Sequence, residues 1–346
     1  MSFRRRAVLA GCVAVAVGGG GLASLHALGR KRGRDVADRA QVEAVPLPCL
    51  DTRDPGRRVF GELTYRSGLV LTSSTRGFGG LSGLWRSPDG SRMVAVSDQG
   101  QWFTARVVTE SGRLVGLADA TLSPILGEAG EPLRETDAYD TESLAIADGV
   151  AYVGIERVHE VRRFAWARDG VAARGMPLPP LPGAEALARN RSLEAVAVVP
   201  AGHPLAGAVI AIAEQVGGGP DDPTWGWVAT GPDRFRFGVA RSDDFNITDA
   251  VFLPSGELLL LERRFTLLRG VACRMRRVAP ASIRPDATID GRIIFEVDRA
   301  YEIDNMEGLA FHRDPVSGEA ILTLVSDDNF SPIQRTLLME FSIRLP

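Results

Sequence analysis

The sequence lacks the signatures of several common hydrolase and metal chemistries. There is no Gly-x-Ser-x-Gly elbow to present a nucleophilic serine. No His-x-x-x-His or Cys-x-x-Cys pair is present to hold zinc. Histidine is scarce, and His159, His203 and His312 stand isolated. Each reads as a surface or packing residue. His159, close after Glu156-Arg157, is the one with a claim to act as a base. Cysteine is scarce too, and only Cys49 and Cys273 follow Cys12. They would form a disulfide in an oxidising compartment, or stay as two buried thiols. Positive charge is not in excess: the formal net charge is -3, which gives no global basic field and argues against a nucleic-acid partner. Long helical patterns are few, and no second domain separates out.

What remains is a chain of 346 residues, 45% hydrophobic and 24% charged, with 38 Gly and 21 Pro. Short apolar runs alternate with Gly, Pro, Asp and Ser turns. That pattern predicts an all-β protein. The N-terminus (1–29) differs. Arg4, Arg5 and Arg6 precede a stretch from Ala7 to Gly29 with no charge, taking His26 as neutral. It reads as an export signal. Arg5-Arg6-Ala7-Val8-Leu9 resembles the twin-arginine pattern without its usual aromatic. Leu25-His26-Ala27 is an imperfect cleavage site. The stretch is also long enough to span a bilayer, which needs about 20 residues, so a membrane tether is the alternative. Basic residues on both flanks blur the orientation signal. Leu9-Ala10-Gly11-Cys12 resembles a lipoprotein box but has almost no apolar run before it. All three readings place the folded part outside the cytoplasm, in the periplasm for a bacterial cell. Residues 30–55, charged and Pro-rich, read as a linker, and 56–346 as the folded domain.

Within that domain one unit recurs. A short triplet, an apolar run, a turn, a second apolar run and a closing polar residue appear at 81–100, 141–158, 193–215, 248–265 and 304–329. The opening positions are Ser82, Glu142, Glu194, Asp249 and Glu307. The closing ones are Asp98, Glu156, Glu214, Glu262 and Asp327. The midpoint of every pair falls on turn residues such as Gly90 and Gly149, so each unit is expected to be a hairpin with its two polar ends facing each other. Two further strand candidates follow most hairpins. Four strands per unit of ~40–60 residues is the signature of a β-propeller blade. The last unit has one outer strand, 335–343, and an extra strand at 57–71 precedes the first. N- and C-terminal strands are thus expected to close the ring in one blade. The count is five blades; six would need one unit hidden in irregular sequence.

In such a ring the hairpin ends gather at one mouth of the central channel. Clustered carboxylates there repel unless something compensates. A hard divalent cation, Ca²⁺ for example, takes 6–8 oxygen ligands. Glu142, Glu194, Asp249, Glu307, Asp98, Glu214 and Asp328 are candidate ligands. Arg157, Arg263 and Arg264 are candidates to bind a small anionic substrate. Glu262, Asp327 and Glu156 are the candidate catalytic carboxylates, with Asp327-Asp328-Asn329 the richest oxygen cluster. The competing reading is architectural, with acids at strand ends holding backbone N–H groups of the next blade. The loop 217–227 reads either as a lid or as a Trp pair covering the core edge.

The stretches "LSGLW…VAVSDQG", "DTESLA…IER", "NRSLEAVA…AEQ", "FNITDAVFLPSGELLLLERRF" and "DNMEGLAF…LVSDDNFSPIQRTLLMEF" resemble the phytase-like family of exported bacterial β-propellers, described as having esterase-like activity. "LERRF" and "SDDNFSPIQRT" are its most specific matches, and the resemblance spans roughly Phe78 to Phe341. It implies a phytase-related propeller and hydrolysis of phosphoesters or esters. True β-propeller phytases have six blades and bind calcium, and the count here is five. A lactonase-like propeller enzyme and a non-catalytic scaffold are the alternatives.

Overall fold

The computed structural model describes residues 37–217, 219, 221–266 and 268–345. The signal or anchor segment, with Cys12, lies outside them. All five hairpins form, each with its first strand innermost: Leu81–Arg86, Thr141–Ala147, Leu193–Val198, Asn246–Phe252 and Asn305–Arg313. Each inner strand touches the next in chain order, and the fifth touches the first. The fold is therefore a five-bladed β-propeller. Further strands follow outward, making sheets of four strands in blades two and four, five in blades one and three, and six in blade five.

Ladders of hydrogen bonds stop at each blade boundary. The blades are held together instead by five hydrophobic clusters, one in each gap. Between blades three and four, for example, Ile210 and Ile212 pack with Ile247, Leu258 and Leu260, all at 1% exposure or less. This explains the strands that are apolar on both faces: one face serves each neighbouring gap. Inner strands approach so closely that a Cβ on Gly308 would lie 2.3 Å from the Ser82 carbonyl oxygen of blade one. Gly83 stands in the same relation to the Leu144 amide of blade two.

Blade five is completed from both ends of the chain. Thr336–Ile343 pairs with Leu63–Ser73, as expected from the strand count. Residues 38–47 correct the reading of 30–55 as a linker. Asp38–Arg39 joins the outer edge of blade one, through Asp38↔Leu122. Val42–Leu47 joins the outer edge of blade five, through Val42↔Ser73. One continuous strap thus crosses the seam between first and last blades. One hydrogen-bonding edge of each strap strand is satisfied by sheet pairing, which composition alone did not reveal.

Cys49 and Cys273 are buried free thiols. The Trp225 and Trp227 of the 217–227 loop lie in a blade-three strand, Thr224–Val228. The Trp227 Nε1–H donates to the Pro182 carbonyl, and Arg236 stacks on Trp225. They cover the core edge rather than forming a lid.

Candidate active site at the channel mouth

The hairpin register decides which side chains reach the mouth. Every inner strand carries a β-bulge near its start. A bulge puts two residues opposite one and re-aims a side chain. Glu142, Glu194 and Glu307 are the extra residues of blades two, three and five. They therefore do not face the closing residues, as their spacing suggested. Asp327 instead faces Asn305. Asp140 hydrogen-bonds through its carbonyl to the Glu156 amide, and Ser192 does so to Glu214. Two layers result. The outer one holds Asp98, Glu156, Glu214, Arg263 and Asp327, and the layer below holds Ser82, Glu142, Glu194, Thr248 and Glu307.

Blade four breaks the acidic pattern, and the repeat alignment placed it one residue out. Its bulge residue is Thr248, and Asn246 pairs with Arg263. Arg263 thus occupies the outer position expected for Glu262. Its guanidinium sits 3.1 Å from Glu307 and 3.8 Å from Glu214, so it bridges blades three and five. Glu262 points elsewhere. It is fully buried, held by Arg274 at 2.8 Å and by Arg276 at 2.7 Å. Asp249 is also buried, accepting the Leu309 N–H of blade five at 2.6 Å and its neighbour Ala250 N–H at 2.8 Å. Asp328 accepts the N–H groups of Gly80 and Phe330 and the Thr336 hydroxyl. The architectural reading accounts for these three carboxylates.

The others converge. Oxygens of Asp140, Glu142 and Glu156 lie within 4.8 Å of one another. Asp140 was missed from sequence, although it stands just two residues before Glu142. Arg157 stacks on Tyr139 at 4.8 Å, and its charge acts on Asp140. The Ser192 N–H donates to Glu156 Oε1 at 3.3 Å. The Ser192 hydroxyl also meets His159 Nδ1 at 2.7 Å, which places the histidine on the rim beside this group. Arg264 leaves the ring and stacks on Phe245 at 4.7 Å. The Asn246 amide donates to Glu214 at 2.8 Å.

Burial sets the electrostatics. It raises Glu156 to about 8, with Asp140 and Glu214 adding repulsion against the Ser192 hydrogen bond. Burial, then Asp327, Asp140 and Asp328, raise Asp98 to about 7. Burial raises Glu307 to about 8 despite Arg263, and Asp327 to about 6. Glu142 and Glu194 are pushed well up by burial and by the neighbouring acids. Burial and mutual repulsion thus both favour the protonated forms of these acids.

An acid whose folded pKa lies above its unfolded value of about 4 keeps its proton longer when folded, so stability falls as pH rises between the two values. The slope is up to ~1.4 kcal/mol per pH unit for each such group. In chelator-containing buffer the urea midpoint is expected to fall from pH 5 to pH 8. A midpoint that rises over this range would mean that the acids are ionised and compensated in the folded state.

A donor set made only of oxygens suits a hard cation. Asp140, Glu142 and Glu156 offer it three carboxylates, which leaves room for water or substrate oxygens. Among the described residues this is the group of three acids that could hold a metal ion.

The fold and the mouth define a class: five blades around a channel whose entrance carries layered carboxylates and one bridging arginine. More narrowly, the chain belongs to the phytase-like family. The family model "Phytase-like: Esterase-like activity of phytase" matches residues 76–330, a span that includes both mouth layers. No curated protein matches the chain. Among solved structures, the α-L-arabinofuranosidase PaAbf62A of Podospora anserina, in complex with cellotriose, is 10% identical. That match covers 83% of this chain and 98% of the other at a TM-score of 0.50, and it shows a shared fold. The WD40 repeats of RRP9 also match, at 10% identity over 89% of this chain and 100% of the other, with a TM-score of 0.41.

Proposed function

We propose that this protein is an exported phytase-like hydrolase that cleaves a small anionic ester, a phosphoester first, at the channel mouth. The observation that carries this reading is the convergence of Asp140, Glu142 and Glu156 within 4.8 Å. These three would hold a divalent cation, Ca²⁺ by donor type, and that ion would supply Lewis acidity and a more acidic bound water. Arg263 pairs with Glu307 and lies near Glu214, and it offers a guanidinium face to an incoming anion. Arg157 stands beside the triad in the same role. Asp327, with its pKa near 6, is poised to exchange a proton at neutral pH. The twin-arginine-like N-terminus supports export to the periplasm, with membrane tethering as the alternative.

The test is turnover of aryl phosphates, aryl carboxylic esters and lactones by the full chain and by Asp327→Asn. The expected result is phosphate release, with kcat lowered by ~10²-fold or more in the variant and the fold retained. Lactone opening without phosphate release would transfer the site to the lactonase reading. No turnover on any class would favour a scaffold.

A further inference from the structure

Among the described residues nine large apolar side chains are exposed; Val45, Val59, Met176, Ile293 and Val316 lie apart, and the other four fall on two neighbouring segments. On the hairpin that leads outward from Arg263, Phe265 is 64% exposed and Leu268 91% exposed. On the next blade, in the loop after Asp327, Ile333 is 88% exposed and Phe330 40% exposed. Both segments connect the second and third strands of their blades, and both project from the mouth end. Phe265 pairs with Val271 and Thr266 with Gly270, so the first hairpin continues three residues past Arg263. Apolar tips at this height on adjacent blades are unfavourable in water.

Charge accompanies them. Arg269 follows Leu268 and is exposed. The Arg299 side chain lies over Gly270 of the same hairpin, where a Cβ would meet its Cδ at 2.8 Å. The neighbouring Asp298 is folded back, accepting the Ala300 N–H at 2.9 Å. Apolar tips flanked by arginines match the boundary of an anionic lipid bilayer, where apolar groups enter the acyl layer and guanidinium groups meet phosphates.

The course of the chain selects the same face. Asp38 pairs with Leu122 and Arg39 with Thr121, while Pro124, the last residue of that strand, pairs with Gln101 at the mouth. The first paired residues, Asp38 and Arg39, therefore lie at the mouth end of blade one. The sequence ahead of them holds the uncharged stretch from Ala7 to Gly29, which is long enough to span a bilayer.

We infer that the mouth face of blades four and five docks on the surface of an anionic bilayer through Phe265, Leu268, Ile333, Arg269 and Arg299. The channel mouth then faces lipid, and its ligand is drawn from the membrane interface. The docking stands apart from turnover, so a protein inactive on every ester tested would still show it.

The experiment uses the full chain carrying Cys12→Ser, because Cys49 and Cys273 are buried and escape labelling. Nitroxide labels are placed singly at Leu268→Cys, Ile333→Cys and Val316→Cys, the last being 95% exposed on a turn at the opposite end. The protein is reconstituted in phosphatidylcholine–phosphatidylglycerol bilayers. Accessibility to oxygen is compared with accessibility to a water-soluble nickel chelate. Labels at 268 and 333 are expected to favour oxygen, and the label at 316 the chelate. In Arg269→Glu with Arg299→Glu the two mouth labels should shift towards the chelate. Water-like behaviour at all three sites would overturn the proposal. So would immobilised labels at 268 and 333 without oxygen preference, which would indicate a protein partner.

Discussion

Glu262→Ala is expected to cost about 3–5 kcal/mol of stability, the usual result of stripping one partner from a buried ion pair. Glu262 is fully buried between Arg274, also fully buried, and Arg276, 3% exposed. Without the carboxylate, two guanidinium groups remain in the interior. Arg274 would keep the Ser242 hydroxyl and Asp243, and Arg276 would keep Asp290 and the Ala240 carbonyl. Asp243 and Asp290 are both exposed, so they offset the two buried charges only in part. Urea unfolding would show the loss as a lower midpoint at unchanged slope. A triple replacement by apolar residues of similar volume should recover most of it, since buried ion pairs rarely outdo good packing. If Glu262→Ala instead leaves the midpoint unchanged and abolishes turnover, the residue belongs to the site after all.

The second large effect concerns the cation. With Ca²⁺ at 100 times its Kd, binding to the folded state alone should raise stability by about 2.7 kcal/mol. The combined substitution Asp140→Asn with Glu142→Gln removes two of the three charges that would hold the ion. It should abolish this response, and any turnover with it, and it should stabilise the chelated protein at pH 8 by relieving repulsion. Calorimetry with Ca²⁺ and with EDTA reads both effects. An unchanged melting temperature on adding Ca²⁺ to the unsubstituted protein would exclude calcium at this triad. Mg²⁺ and Mn²⁺ would then be the ions to try, because the donor set is common to all three.

The ring was legible in the sequence because turns and apolar runs are local signals. Gly90, Gly149 and Gly256 mark hairpin tips, and all have positive φ. The shared mouth was legible too, since inner strands run in one sense around the channel. The register near the mouth was not. A bulge adds one residue without leaving a distinctive residue type, so Thr248 passed unnoticed while Asp249 looked like a match to Glu142. That error carried Glu262 into the site and left Arg263 as a flanking residue, when Arg263 holds the ring position. Asp140 was within reach: it occupies the position that Asn246 and Asn305 fill in other blades, facing the closing residue. The strap at 38–47 was hidden by Pro46 and Pro48 and by charged neighbours, which resemble a disordered segment until an edge strand is available to pair with it.

The composite blade ties the order of synthesis to the order of folding. Strand 63–73 emerges early, yet its partner 336–343 is among the last residues made. Four blades can assemble from local hairpins, but the ring stays an open arc until the end of the chain arrives. Closing it joins residues far apart in sequence, a slow step in folding. Until then the early strand presents an unpaired edge, the kind that aggregates. Once closed, blade five is completed by the ladder of the terminal strand, and the strap spans the seam with blade one. Unfolding that begins at the seam must break both, which makes the lifetime of the folded ring, rather than its equilibrium stability, the quantity most sensitive to changes there.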